Sequence, residues 1–331
     1  MKRTELLARS FIMVAALVAI AVPAVARART PLIHARMAEA GGWNPSVLRA
    51  RVGETLHLRL TSDDVEHGFA VGQMDMASVD VLPGKVTELD LLFDHPGSYT
   101  FYCTRWCGIN HWRMRGTIEV SGEAGPKPTP AAQALYVQLG LDIDAPHNAP
   151  SVPDQRPAAR RGESLASSPA LTALFDPQYY RSHSPYQAWA QLRSEPTLNG
   201  STDQELWDGV ALAWRSNATA EGLAEGRDLF ARNCAACHGE QGSGKGVFAA
   251  QLAAQGEMSA QTMEGAVGMT GQQPADFTNA KRMLGASPAI LQGKILRGGM
   301  GTSMPMWGSI FTEEQMWNLV AYLYSFQFEY P

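Results

Sequence analysis

Residues 103–114 determine what the first half of the chain is built around, and they read Cys103-Thr-Arg-Trp-Cys107-Gly-Ile-Asn-His111-Trp-Arg-Met114. Two thiols, an imidazole and a thioether thus occur within one short stretch. Soft sulfur together with imidazole selects copper or zinc, and zinc sites rarely use methionine. The even spacing of Cys103, Cys107 and His111 lets one loop bring three donors to one point. The stretch predicts a metal site, against the alternative of two buried thiols beside an unrelated histidine.

The segments around this loop alternate apolar and polar side chains with a period of two. Leucine occupies every second position of residues 56–60, and Leu89, Leu91 and Phe93 repeat this alternation. Such alternation is typical of half-buried strands, and Gly or Pro lies where turns would separate them. The pattern predicts a β-sandwich over residues 31–122. His67, on the loop after the first of these strands, is a further candidate ligand.

The composition limits the possible classes of protein. The chain has 331 residues, of which 45% are hydrophobic and 18% charged, with a formal net charge of -5. This is a globular composition at a length that predicts two domains. The chain lacks the basic stripe of a general nucleic-acid binder, and its single long apolar run excludes a polytopic membrane protein. Its four cysteines form two close pairs, which we interpret as ligands or attachment points.

Residues 1–28 have the order of an export signal. Basic residues, among them Lys2 and Arg9, precede an apolar stretch from Phe11 that ends in small residues at Ala26 and Ala28. This stretch is just short of a typical membrane span. We expect either a cleaved signal peptide or a retained N-terminal membrane anchor. Either one would place the bulk of the chain in the periplasm or at the outer face of the cytoplasmic membrane.

The last hundred residues contain Cys234-Ala-Ala-Cys237-His238, the attachment signature of a c-type haem. In this chemistry two thiols bond to the haem vinyl groups, and the adjacent histidine becomes an axial ligand of the iron. An amphipathic helix is expected before the motif, and a closing helix from Thr312 to about Phe326. The order of these parts predicts a cytochrome c domain over residues 217–331.

The sixth iron ligand is expected in the loop before the closing helix. Met304 and Met306 lie there in the sequence Met-Pro-Met-Trp-Gly, and Met300 is a third candidate. This sequence resembles the Met-Pro loop of class I cytochromes c, which favours Met304. Any single methionine of the fourteen in the chain can instead be core filler.

Two segments lie between the predicted domains. Residues 123–168 are rich in Pro and Ala and predict a linker with little core, whereas residues 169–216 carry aromatic side chains and predict a helical connecting segment. The connecting segment contains a short internal sequence similarity. Residues 202–211 parallel residues 312–321, and both begin with a helix-capping box. Residues 202–211 are either a remnant of a second haem domain or a plain packing helix. Because no Cys-x2-Cys-His precedes it, the packing helix is preferred.

The copper-type motif carries a family resemblance. Cys103-x3-Cys107-x3-His111-x2-Met114, preceded by His67 in Asp-Val-Glu-His-Gly-Phe, resembles the dinuclear copper (CuA) cupredoxin domain of cytochrome c oxidase subunit II and of nitrous oxide reductase. The resemblance implies a Greek-key β-sandwich in which both cysteines bridge two coppers and both histidines bind them. It further implies two weak ligands, the Met114 thioether and the backbone carbonyl of Arg105.

Two features depart from the oxidase pattern. Oxidases usually carry a glutamate at position 105 that also touches a magnesium site, and here the residue is arginine. The aromatic run through which oxidases accept electrons from soluble cytochrome c is also not visible, since Trp43 is the only tryptophan in the sequence before Trp106. Electron entry elsewhere in the chain is therefore expected.

The order of the domains resembles subunit II of caa-type cytochrome c oxidases, with the first transmembrane helix missing and a longer linker. The resemblance implies a multidomain protein, an all-β cupredoxin followed by an all-α cytochrome c. Electrons would pass from haem c to the copper centre and on to a membrane haem-copper catalytic subunit. The donor would be a soluble cytochrome c or a quinol-oxidising complex. The chain would be the electron-entry subunit of this oxidoreductase and not catalytic by itself.

Three alternatives bear on this function. A nitric oxide reductase with a copper-centre subunit is the runner-up, because Arg105 removes the oxidase magnesium ligand. A copper-delivery or copper-sensing protein, from a different class, would also use a Cys-x3-Cys pair with a histidine. Such proteins carry that histidine far downstream, and a fused haem serves no obvious delivery role. A complete nitrous oxide reductase is excluded, because eight histidines cannot build its multi-histidine catalytic cluster.

Overall fold

A computed structural model of the chain describes Met13 and residues 32–74, 76–105, 107–108, 111–123, 133–252, 273–299 and 304–330. The predicted export segment, residues 1–28, lies outside the described residues except for Met13. The chain divides into two compact units at about residue 127. Among the helices in the described ranges, none combines the length and the apolar character needed to span a membrane.

The first unit is a sandwich of two β-sheets. One sheet has four strands in the order β2-β1-β4-β7, and the other has five in the order β3-β9-β8-β5-β6. The strands are β1 (Leu32–Ala35), β2 (Trp43–Asn44), β3 (Val47–Arg51), β4 (Thr55–Ser62), β5 (His67–Val71), β6 (Val79–Val81), β7 (Thr87–Leu92), β8 (Gly97–Tyr102) and β9 (Arg115–Ser121). The predicted cupredoxin-type sandwich is confirmed.

The alternation read from the sequence sets the pairing of β4 with β7. These strands run antiparallel, with Leu58 opposite Leu89 and Leu56 opposite Leu91. Leu58 and Leu60 are buried between the sheets, while the intervening polar side chains face the other side of their sheet. The apolar residues at every second position therefore form one wall of the core.

Three aromatic rings fill the core of the sandwich beneath the loop that follows β8. Trp43, Phe69 and Phe101 are all buried, with ring centroids 5.4–5.8 Å apart. Gly116 on β9 leaves the space that the Phe101 ring fills, because a Cβ at this position would collide with the ring. Such contacts hold the ends of β8 and β9 in fixed positions.

The second unit is helical, as predicted for the cytochrome part of the chain. Its helices are α1 (Leu135–Gln138), α2 (Ala159–Gly162), α3 (Pro169–Thr172), α4 (Pro177–Ser182), α5 (Pro185–Arg193), α6 (Asp203–Ser216), α7 (Ala220–Asn233), α8 (Ala235–His238), α9 (Ala280–Met283), α10 (Pro288–Arg297) and α11 (Glu313–Tyr324). Helices α7 and α11 pack against each other, and the expected amphipathic and closing helices correspond to this pair.

Part of the predicted linker is folded onto the second unit. Ile143 and Ala149 are buried, and the Ala149 amide donates to the carbonyl of Lys281, 2.8 Å away. Asp144 accepts from the guanidinium of Arg297, the last residue of α10, over 2.5 and 2.7 Å. Residues 141–149 thus lie along α9 and α10 instead of forming an extended tether.

Candidate metal and haem sites

The loop between β8 and β9 carries the predicted copper ligands, and backbone hydrogen bonds close it. Cys103 directly follows β8 and Met114 directly precedes β9. The Cys103 amide donates to the Met114 carbonyl over 3.0 Å, and the Met114 amide donates to the His111 carbonyl over 2.9 Å. The sheet therefore fixes both ends of the loop at one point.

The five predicted donor side chains converge at this point. The Cys103 and Cys107 sulfurs are 3.9 Å apart. His67 Nδ1 lies 3.7 Å from the Cys103 sulfur, whereas His111 Nδ1 lies 3.5 Å and the Met114 sulfur 3.2 Å from the Cys107 sulfur. All five residues are buried. Among the described residues, His67, Cys103 and Cys107 hold their ligand atoms within 4.8 Å of one another.

Arg105 points its backbone and its side chain in opposite directions. Its carbonyl oxygen lies 3.1 Å from the Cys103 sulfur, so it faces the sulfur cluster. Its half-exposed guanidinium donates to Asp80 over 2.7 and 3.0 Å and lies 3.4 Å from Glu66. The Asp80 carboxylate raises the pKa of this guanidinium. The Arg105 carbonyl thus faces the two thiols, whereas its guanidinium lies toward Asp80.

Asp64 is a site residue to which the sequence analysis assigned no role. Its Oδ1 lies 2.7 Å from His67 Nε2, which leaves Nδ1 facing Cys103. The carboxylate is itself held by the amides of Met37 and Val65. Burial alone would raise the pKa of Asp64, but these three hydrogen bonds outweigh it and lower the pKa. The spacing Asp-x2-His was the available signal, because metal-binding histidines generally donate their second nitrogen to an outer partner.

The pKa values of Cys103 and Cys107 are shifted in opposite directions. The hydrogen bond from Cys107 is the largest cause that lowers the pKa of Cys103 to about 3, and the two histidines lower it further against the effect of burial. The same bond, together with burial, raises the pKa of Cys107. The cluster thus favours at least one thiolate, the form of cysteine that binds metals.

Trp43 packs against the cluster from the core of the sandwich. Its indole Nε1 donates to the Met114 carbonyl over 3.1 Å, and its ring centroid is 6.3 Å from that of His67. Because only 3% of Trp43 is exposed, it belongs to the core and not to a docking surface.

The haem-attachment motif lies on and beside the short helix α8. His238 Nδ1 donates to the Ala275 carbonyl over 3.0 Å, and its ring stacks on Phe277 with centroids 4.7 Å apart. Burial lowers the pKa of this histidine against the opposing effect of the Ala275 carbonyl. A neutral imidazole with Nδ1 occupied presents Nε2 as the atom that can bind iron.

The remaining predicted haem contacts are the two thiols and a methionine. Cys234 and Cys237 form no disulfide, and burial raises the pKa of Cys234 to about 12. Met304 is partly buried, whereas Met306 is 54% exposed. An axial ligand must face the interior of its domain. The lower exposure of Met304 therefore favours it over Met306. The third candidate, Met300, lies outside the described residues.

Comparison with known proteins divides the chain in the same way. Residues 43–121 match the family model "Cytochrome C oxidase subunit II, periplasmic domain", and residues 223–327 match the family model "Cytochrome c". Cytochrome c oxidase subunit 2 of Thermus thermophilus is 38% identical over 84 residues, which cover 25% of this chain and 62% of the relative. A second Thermus thermophilus sequence with the same name is equally identical over 49% of its length.

A solved structure shows a weaker similarity. The periplasmic domain of subunit II of the cytochrome oxidase of Bradyrhizobium japonicum is 25% identical, with 23% of this chain and 54% of that chain covered and a TM-score of 0.22. The two family models match two separate regions of the chain. Residues 43–121 are therefore similar to cytochrome c oxidase subunit II periplasmic domains, and residues 223–327 are similar to cytochromes c.

Proposed function

We propose that this chain is an electron-transfer subunit. It receives electrons in its cytochrome c domain and passes them through its copper-binding domain to a membrane haem-copper catalytic subunit. The observation that carries the proposal is the convergence of two thiols, two imidazole nitrogens, a thioether and a carbonyl oxygen in one buried cluster. The Thermus thermophilus relatives, named cytochrome c oxidase subunit 2, support the same role.

The donor set fits a dinuclear copper centre. With their sulfurs 3.9 Å apart, Cys103 and Cys107 can both contact the same two metal ions. His67 approaches one sulfur and His111 the other, so one imidazole is available at each end of the pair. Met114 and the Arg105 carbonyl would be the weak ligands. Such a centre supplies one-electron exchange with little change in geometry.

The protein's own residues prepare this site in three ways. Asp64 orients His67 so that Nδ1 faces the sulfurs, and Trp43 holds the Met114 carbonyl. Burial of the five donor side chains excludes water, which would otherwise have to reorganise as the charge changes. The backbone bond from Cys103 to Met114 fixes the loop. The ligands therefore need to move little when an electron arrives or leaves.

The second site fits a covalently attached haem c. Cys234 and Cys237 would form the two thioether bonds, His238 would bind the iron through Nε2, and Met304 would be the second axial ligand. The haem supplies one-electron exchange at its iron. The Ala275 carbonyl and the Phe277 ring hold the His238 imidazole in its orientation.

The proposal places the chain in the periplasm or at the outer face of the cytoplasmic membrane, as the family model for a periplasmic domain suggests. It also assigns oxygen as the terminal acceptor. A nitric oxide-reducing partner is the second candidate, and the pairing of Arg105 with Asp80 favours it. Here a guanidinium lies where an oxidase uses a carboxylate to touch magnesium. Consumption of oxygen and of nitric oxide by the purified complex distinguishes the two.

The electron relay is tested by photoreducing the haem of the holoprotein and following the copper absorbance. We expect a decay whose rate does not depend on protein concentration, because both sites are in one chain. The matched control is Cys107→Ser, in which this phase disappears while the haem is still reduced. A rate that rises in proportion to protein concentration would show that the two domains serve different partners.

A further inference from the structure

Two helix crossings in the second unit are built in the same way. Helix α2 meets α6 at Gly162, where an added Cβ would collide with the Asp208 carbonyl, 2.6 Å from its carbon. Helix α7 meets α11 at Gly226, where an added Cβ would collide with the Asn318 carbonyl, 2.8 Å from its carbon. In each pair a glycine allows backbone to pack directly on backbone. The α7–α11 pair belongs to the cytochrome c domain, so the α2–α6 pair has the same construction outside it.

The polar contact beside each crossing is also equivalent. The residue directly before Gly162 is Arg161, and its guanidinium donates to the Asp208 carboxylate over 2.8 and 2.9 Å. The residue directly before Gly226 is Glu225, and its carboxylate accepts from the Asn318 amide over 2.7 Å. In both cases the residue before the glycine binds, through its side chain, the side chain of the residue whose backbone carbonyl the glycine contacts.

The helices on either side follow the same order with matching caps. Helices α6 and α11 both begin with a capping box, at Thr202 with Glu205 and at Thr312 with Gln315. Helices α5 and α10 both begin with a Ser-Pro pair whose serine caps the helix. The preceding short helices α4 and α9 are both capped by a side chain eight residues before that serine, Asp176 and Asn279.

The buried positions of α6 and α11 coincide when the two capping boxes are aligned. Counted from the capping threonine, the fourth, eighth, ninth, eleventh and twelfth residues are buried in both helices. They are Leu206, Val210, Ala211, Ala213 and Trp214 in one helix, and Met316, Val320, Ala321, Leu323 and Tyr324 in the other. The parallel noted in the sequence therefore extends to which residues are buried.

The haem ligands have no counterparts in the first set of helices. Counted from the crossing glycine, Cys234, Cys237 and His238 correspond to Ala170, Ala173 and Leu174. Leu174 is fully buried. The long segment 239–286 of the cytochrome domain corresponds to only residues 175–183, and the methionine-bearing segment 298–311 to the shorter segment 194–201, which contains neither Met nor His.

We propose that residues 158–216 are a second copy of the cytochrome c fold that has lost its haem and now supports the haem-bearing copy. The order of helices, the glycine crossing, the position of the polar pair and the caps correspond, whereas both thiols and the axial histidine are replaced. This reverses the preference for a plain packing helix. The inference does not depend on the proposed electron route.

The contacts of the copy explain its supporting role. The Trp214 ring lies 6.2 Å from Tyr324 and 6.4 Å from Phe328, so it covers the end of α11. The backbone of residues 157–159 pairs with Glu329 through two hydrogen bonds of 2.8 and 3.1 Å. The end of the chain is therefore fixed by the copy and not by the haem domain alone.

The equivalence of the two crossings is tested by exchanging their polar pairs in the full-length holoprotein. Arg161→Glu alone would place two carboxylates together at Asp208, which is 3% exposed, and we expect a loss of roughly 10 °C in the unfolding midpoint. Adding Asp208→Asn creates the pair found at the other crossing and should restore most of the loss. In the reverse exchange, Asn318→Asp should destabilise and adding Glu225→Arg should rescue. Failure of either double variant to recover would overturn the equivalence.

Glycine variants provide a second test that does not involve charge. Gly162→Ala and Gly226→Ala should both lower the midpoint clearly, since each Cβ would meet backbone. The matched control is Gly209→Ala on α6, whose Cβ would meet only the side chains of Leu165 and Leu171 at 3.4 Å or more. If Gly162→Ala is tolerated as well as Gly209→Ala, the close crossing does not exist and the inference fails.

The number of haems separates this inference from the proposed function. We expect one covalently bound haem per chain, measured by mass and by absorbance of the reduced pyridine adduct. A second covalent haem would overturn the claim that the copy is haem-free. The pair-exchange variants at positions 161 and 208 should leave the haem spectrum unchanged. Loss of haem in the double variant, once its stability is restored, would contradict a purely supporting role.

Discussion

The copper cluster and the haem site differ in what holds their ligands. In the copper cluster a single loop supplies most donors, and sheet hydrogen bonds and the Trp43 indole fix that loop. In the haem site the motif on α8 and Met304 are more than sixty residues apart in sequence. The proposed copper donors therefore come mainly from one loop that the sheet fixes, whereas the proposed haem ligands come from two segments far apart in the sequence. Sites proposed for similar electron-transfer chemistry can therefore differ in how far apart in the sequence their ligands lie.

The largest effect is expected from Cys107→Ser in the copper cluster. In the proposed centre each thiolate would contact both metals, so the variant should lose the dinuclear copper spectrum entirely while haem absorbance persists. Optical spectra of the copper-loaded protein measure both. The matched variant Cys237→Ser should leave the copper spectrum unchanged. A normal copper spectrum in Cys107→Ser would show that the ligand assignment is wrong.

The next effect concerns the proposed haem site. Met304→Ala should abolish the sulfur-to-iron absorption band and lower the haem reduction potential, because loss of thioether ligation stabilises ferric iron. Met306→Ala is the control, since its half-exposed side chain should not bind the iron. If the band disappears only in Met306→Ala, the ligand is Met306.

Asp64→Ala tests how much of the copper geometry is prepared by the protein. Without the carboxylate, His67 loses the partner that orients it, and the copper affinity should fall about 10- to 100-fold. Competition with a copper chelator gives the affinity. Asp63→Asn is the control, because Asp63 pairs with His34 and Arg36 at the surface. Equal affinities of Asp64→Ala and the unaltered protein would mean that His67 needs no outer partner.

The smallest effect is expected at the segment that lies along the haem domain. Arg297 lowers the pKa of the exposed Asp144 carboxyl. The pair should therefore stabilise the fold above the ordinary pKa of aspartate and cease to do so as the pH falls through the lowered value. Asp144→Asn should reduce the free energy of unfolding by less than about 1 kcal/mol at neutral pH, with no difference in strong acid. A difference that persists in strong acid would contradict the ionic origin.

Candidate metal donors can be assigned from the sequence because their chemistry is local. The spacing of Cys103, Cys107, His111 and Met114 within one loop, and the Cys-x2-Cys-His motif, each identify a site from a few adjacent residues. The alternating leucines likewise predicted the sandwich. Each of these signals is carried by residues that are close in sequence.

The sequence analysis missed features that depend on contacts between distant residues. The role of Asp64 depends on which nitrogen of His67 faces the sulfurs, and the spacing leaves that open. Ile143 and Ala149 are isolated apolar residues in a Pro-rich stretch, so no periodicity marked them as buried. The likeness of Gly162 to Gly226 became visible only when each was seen against a helix about fifty or ninety residues away.

The central claim is that the buried cluster holds two coppers that share one electron. Electron paramagnetic resonance of the oxidised, copper-loaded full-length chain tests it most directly. The account predicts hyperfine splitting from an unpaired electron shared equally by two copper nuclei. Splitting from a single copper nucleus, or the absence of a copper signal in a protein shown to contain copper, would contradict it.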